Sequence, residues 1–194
     1  MFKIAVLVSG DGSNLQAIID QIHCQSKVAK IALVISSASN AYALQRAQQY
    51  HIPTRVVSRT TCNNPSDQIL KLCQQAKIDL IVLAGYLSIL TGQLLSLYAH
   101  KIINIHPSLL PDFGGYGMYG MHVHEAVIKA RAKFSGCTVH FVSDGVDQGA
   151  IIAQVKIPVL ATDTPHTLAQ RVLVQEHELL PKVIQQIIDG VTKK

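Results

Sequence analysis

Lys3-Ile4-Ala5-Val6-Leu7-Val8-Ser9-Gly10-Asp11-Gly12-Ser13-Asn14-Leu15 opens the chain with an unbroken apolar run, a glycine turn and residues suited to start a helix. An apolar run without alternation reads as a strand buried on both faces, which is the habit of parallel sheets. The glycines let the backbone come close to a ligand. Ser13 and Asn14 are suited to cap the helix that follows. The free N–H groups of its first turn would face an anion, so a phosphate site is the natural reading of the loop. A dinucleotide fingerprint fits less well. Leu15 stands at its third glycine position, and the second strand ends in Ser36-Ser37-Ala38-Ser39-Asn40 with no acid for a ribose. A tight turn that binds nothing fits the glycine loop equally well when the loop is taken alone.

The same texture continues down the chain. Strands are expected over residues 3–9, 31–36, 54–57, 79–84 and 102–105, with helices over 14–26, 41–50 and 65–77 between them. Short apolar runs separated by helices imply right-handed βαβ units. After Pro111 the pattern changes. Residues 112–120 hold four of the twelve glycines and read as a mobile loop. A helix is expected over 122–132, an antiparallel strand pair over 137–142 and 151–157, and a long helix over 165–189, interrupted near Pro181. The fold class is therefore α/β: an open, mostly parallel, Rossmann-like sheet with helices on both faces and an antiparallel C-terminal extension. One domain is expected over residues 1–194, with a phosphate-binding half to about residue 100 and a catalytic half beyond it.

Composition narrows the function. The chain has 194 residues, of which 48% are hydrophobic and 15% charged, so it can bury a core. No apolar run reaches the ~18 residues of a membrane span, and no signal segment is visible, so a cytoplasmic protein is expected. Cys24, Cys62, Cys73 and Cys137 are scattered, which argues for reduced thiols and against a zinc site. The formal charge of +5 comes without a Lys/Arg run, so small anionic substrates are favoured over nucleic acid.

A second stretch carries chemistry: Asn104-Ile105-His106-Pro107-Ser108-Leu109-Leu110-Pro111. Residues two apart in a strand share a side, so Asn104 and His106 aim at one point. Pro107 ends the strand there, at the carboxyl edge where open α/β sheets bind ligands. An imidazole can move a proton near neutral pH, and an amide can donate to an oxyanion. Asp147, in a glycine-flanked turn, is the carboxylate to pair with His106, raising its pKa towards the imidazolium. It could equally be an ordinary turn aspartate, and His106 an ordinary strand-end histidine. Of the other eight histidines, His23, His51, His100 and His166 read as surface residues. His140 reads as a satisfied strand residue, and His177 as structural. His122 and His124 lack a third metal ligand.

These segments, with Val82-Leu83-Ala84-Gly85-Tyr86, Gly136-Cys137-Thr138-Val139-His140-Phe141-Val142 and Glu176-His177, resemble the phosphoribosylglycinamide formyltransferases over nearly the whole chain. The resemblance implies formyl transfer from 10-formyltetrahydrofolate, a co-substrate, to the amine of phosphoribosylglycinamide, without metal. It implies Asn104, His106 and Asp147 as catalytic groups, with Gly12, Ser13, Asn14 and Glu176 on the ribose phosphate. It places the folate against Leu87, Ser88, Ile89 and Leu90, Asn104, and the turn Ser143, Asp144, Gly145, Val146 and Asp147. It implies a monomer or homodimer without nucleic-acid or membrane partners. The stretch between Pro111 and His124 is longer than the family pattern, and the folate-proximal arginine of some relatives has no match at Arg59. Methionyl-tRNA formyltransferases and formyltetrahydrofolate hydrolases share the Asn/His/Asp logic but carry further domains. A non-catalytic phosphosugar-binding module would not need the trio.

Overall fold

The computed structural model describes residues 1–192. The last two positions of the expected domain lie outside the described residues. The elements run β1 (Phe2–Val8), α1 (Ser13–Ile18), β2 (Ala29–Ser36), α2 (Tyr42–Gln49), β3 (Thr54–Val56), α3 (Pro65–Ala76), β4 (Leu80–Leu83), α4 (Gln93–Leu97), β5 (Ile102–His106), α5 (Met121–Lys129), β6 (Phe134–Phe141), β7 (Ile151–Pro158) and α6 (Pro165–Thr192). They form a seven-stranded sheet in the order β3-β2-β1-β4-β5-β6-β7. The first five strands are parallel, and β6 and β7 join antiparallel. This is the expected class. The chain winds outward from β1 to β3, then returns to the other side of β1 for β4. That reversal opens a crevice at the carboxyl ends of β1 and β4, where such sheets take ligands.

Alternation along β1 divides the core. Ile4, Val6 and Val8 face a cluster with Leu15 and Ile18 of α1, Ala43 and Ala47 of α2, Val127 of α5 and the apolar row of α6. Ala5 and Leu7 face the other layer, with Ile69, Leu70 and Cys73 of α3 and Leu94 and Leu95 of α4. Helices thus cover both faces, which is why the central strands read as continuous apolar runs.

Three elements differ from expectation. The helix expected over 14–26 is α-helical only to Ile18 and continues as a π-helical turn, Ile19–His23, closed by a 2.9 Å bond from the Cys24 N–H to the Ile19 carbonyl. The short helix α4 lies in a stretch with no strong periodic signal. The expected interruption at Pro181 does not occur, and α6 runs through it. Proline leaves the carbonyl four residues back without its N–H. Here that carbonyl, of His177, accepts instead from Gln21 Nε2 at 3.0 Å. All four cysteines are free thiols. No described helix is long and apolar enough to cross a membrane.

Candidate active site

β5 delivers Asn104 and His106 to the carboxyl edge, and β6 answers them in register. Asn104 pairs with His140 and His106 with Thr138 across the antiparallel ladder, so all four share one face. His106 and His140 are buried. The His140 ring is fixed at both nitrogens. Nδ1 lies 2.8 Å from the Phe141 carbonyl, which can only accept, so Nδ1 carries the proton. Nε2 then accepts from Asn104 Nδ2 at 3.1 Å, which leaves the second amide N–H of Asn104 for a ligand.

Asp147 comes from the turn after β6 and meets both rings. One carboxylate oxygen lies 3.5 Å from His106 Nδ1, and the other lies 3.6 Å from His140 Nε2. The first oxygen also accepts from the Gly115 N–H at 3.1 Å. His106 Nε2 donates to the Phe113 carbonyl at 2.9 Å. The glycine-rich stretch after Pro111 is therefore tied to both catalytic candidates.

Burial governs the electrostatics. It lowers the pKa of His106, against the Asp147 charge and the Phe113 carbonyl, which both favour the cation. The raised pKa expected from the carboxylate is thus corrected: removing the ring from water outweighs the ion pair. Burial would raise the Asp147 carboxyl, but His140, His106 and the Gly115 N–H together hold it below the usual range. Asp147 is an anion at neutral pH.

These groups line a cavity of about 660 Å³. Asn14 and Glu176 line it too, joined by a 2.6 Å bond from Asn14 Nδ2 to Glu176 Oε2. Burial pushes the Glu176 carboxyl up to about 7, with the Asn14 bond opposing. The expected side-chain cap at α1 is absent. Gly12 is the N-cap, with φ of 79°, and the Asn14 amide turns to Glu176 instead of to the helix end. Gly12 and Ser13 sit beside the cavity without lining it. Leu87, Ile89 and Leu90 give the cavity an apolar wall, with Ser88 between them, and Ser143, Asp144, Gly145 and Val146 line it from the turn after β6. Among the described residues, no three His, Cys, Asp or Glu side chains group as metal ligands.

Three histidines of the site carry no site role in the sequence reading. His140 is satisfied, as expected, but its partners are Asn104 and Asp147. The alternation Thr138-x-His140, mirroring Asn104-x-His106, was the signal. His166 lines the mouth, and His124 is buried in the wall.

The formyl transferase family profile matches residues 2–184. Phosphoribosylglycinamide formyltransferase of Haemophilus influenzae is 44% identical over 193 residues, covering 98% of this chain and 89% of that protein. The trifunctional purine biosynthetic protein adenosine-3 of Homo sapiens is 39% identical over 98% of this chain, which spans 19% of that protein. The crystal structure of phosphoribosylglycinamide formyltransferase from Anaplasma phagocytophilum superposes with a TM-score of 0.89 at 40% identity, covering 97% of this chain and 87% of that one. Agreement of this extent in sequence and in fold makes the chain a member of the phosphoribosylglycinamide formyltransferase family.

Proposed function

We propose that the protein transfers the formyl group of 10-formyltetrahydrofolate to the amine of phosphoribosylglycinamide, a step of de novo purine biosynthesis. The observation that carries this reading is the meeting of Asn104, His106 and Asp147 in one wall of a cavity that Asn14 and Glu176 also line. The amine attacks the formyl carbon directly, and positioning two bound substrates lowers much of the barrier. The free N–H of Asn104 and the Nε2–H of His106 meet the developing oxyanion. A charged oxygen is a stronger acceptor than the Phe113 carbonyl and takes the His106 proton contact from it. Burial keeps the ring neutral, so it meets the oxyanion as a hydrogen-bond donor through Nε2–H and takes up no proton in the step. Asp147 orients the ring and passes the amine proton on, through water, towards N10 of the departing folate.

The Gly12, Ser13 and Asn14 loop holds the phosphate, and Glu176 takes a ribose hydroxyl. The folate lies between Leu87, Ser88, Ile89 and Leu90 and the turn of Ser143, Asp144, Gly145, Val146 and Asp147, with Asn104 at its reactive end. One domain with a phosphate half and a folate half suffices. The protein works in the cytoplasm on these two small molecules, as a monomer or homodimer, without metal, nucleic acid or membrane. Purified protein mixed with formyl-folate should release deformylated folate only when phosphoribosylglycinamide is present. Release without the amine would make it a hydrolase. Saturable phosphosugar binding without turnover would make it a binding module.

A further inference from the structure

One arginine of α2 grips the glycine loop after β1. Arg46 Nε donates to the Asp11 carbonyl at 2.9 Å, and Nη2 reaches the two Asp11 carboxylate oxygens at 3.1 Å and 3.3 Å. Nη1 donates to Gln16 Oε1 of α1 at 3.4 Å, and the guanidinium carbon lies 4.9 Å from the centroid of the Tyr42 ring. Ala43, one turn back on α2, donates its N–H to the Gly10 carbonyl at 3.1 Å. The Arg46 side chain is 23% exposed and that of Asp11 65%.

An ion pair this open to water contributes little to stability by itself. Its place in the chain gives it another use. Asp11 directly precedes Gly12, Ser13 and Asn14, the loop read above as the holder of the phosphate. A phosphomonoester carries about −1.5 to −2 charges at neutral pH. A free carboxylate beside it repels it. Among the described residues that line the cavity there is no lysine or arginine, so its wall holds no fixed cation to offset Asp11. Arg46 does so from outside the cavity. By taking the carbonyl and the carboxylate of Asp11 together, it also fixes that side chain against α2.

We propose that Arg46 is a positioning residue for the acceptor substrate: it neutralises Asp11 and holds that carboxylate to α2, so that the loop can take a phosphate dianion. This rests on the formyl-transfer reading above. The test is a double-mutant cycle of Arg46→Met, which keeps an apolar stem over Tyr42, and Asp11→Asn, with both substrates varied in steady-state kinetics. Arg46→Met should raise the KM for phosphoribosylglycinamide about five- to tenfold at low ionic strength, with kcat and the KM for formyl-folate unchanged. Added salt should narrow the gap, because it screens repulsion between exposed charges. Asp11→Asn in the Arg46→Met background should restore most of the wild-type KM, because it removes the charge that Arg46 cancels. A double variant as weak as Arg46→Met would make the arginine a backbone clamp alone and overturn the proposal. An unchanged acceptor KM in Arg46→Met, or a fall in its kcat, would overturn it too. Should Arg46→Met not fold, Asp11→Asn alone decides. With the guanidinium no longer cancelled, its acceptor KM should drop below the wild-type value at low ionic strength, and a KM at or above that value overturns the proposal. Wild-type protein without any transfer would instead overturn the proposed function, and with it the use given to the loop.

Discussion

Asp147 holds two imidazoles and a loop amide from a left-handed backbone, with φ of 56°. Aspartate is among the few side-chain-bearing residues that visit this region readily. The turn therefore aims its carboxylate without needing glycine at that position. His106 is the residue with most to lose. In the proposed mechanism, replacing it with alanine removes one oxyanion donor, and kcat should fall about 10²–10³-fold with both substrates still binding, read by single-turnover formylation and equilibrium titration. Near-normal single turnover would exclude the role given to it. Gly12 is constrained differently. At φ of 79°, an added Cβ would sit 2.5 Å from the Ala43 Cβ and 2.8 Å from its Cα. Gly12→Ala should cost about 2 kcal/mol or more in urea unfolding, from clash and backbone strain together. The sequence showed Asn104 and His106 as a pair because strand alternation is local. It did not show that His140 holds the Asn104 amide, because a cross-strand partner depends on register.

At the scale of elements, the turn after β5 is staked to β6 by one hydroxyl. Thr138 Oγ1 donates to the Ser108 carbonyl at 2.6 Å and accepts from the Leu110 N–H at 3.1 Å and from Gln154 Nε2 at 2.9 Å. Ser108 in turn bonds the Asp112 carbonyl at 2.6 Å, next to the Phe113 carbonyl that meets His106. Thr138→Val keeps the shape and removes this hub. The variant should lose about 1–3 kcal/mol by chemical denaturation, because a buried carbonyl and N–H go unpaired, and kcat should fall as well. Unchanged stability would mean that water replaces the hydroxyl. Helix α6 carries a signal that was legible in the letters. Leu168, Val172, Leu180, Ile184 and Ile188 are buried at four-residue spacing, and Glu176 sits in the same row. A carboxylate in an apolar stripe marks a functional position. Pro181 misleads by the same local logic, since its break is repaired by Gln21 from a distant part of the chain.

For the whole molecule, Glu176 couples folding to pH. Its folded pKa of about 7 lies above the ordinary 4.5, so the folded state binds the proton more tightly. This contribution is full below pH 4.5 and is lost as pH rises through 7, because the unfolded chain ionises freely and the buried carboxyl does not. The 2.5-unit gap between those values corresponds to on the order of 3 kcal/mol. Glu176→Gln keeps an acceptor for Asn14 and removes the titration, so its Tm should fall less than wild type between pH 5 and pH 8. Parallel Tm curves would show that Glu176 ionises without cost. The sequence by itself determined the sheet, its parallel order, the strand-end Asn104 and His106, and the glycine loop, because strand periodicity and backbone freedom act over neighbouring residues. Only the tertiary structure decided that Asp147 serves two imidazoles, that burial outweighs its charge at His106, that Asn14 turns from the helix to Glu176, and that His124 is buried with an unpaired Nδ1. Each of these depends on what water is excluded and which distant chain supplies a partner, and neither is written in local spacing.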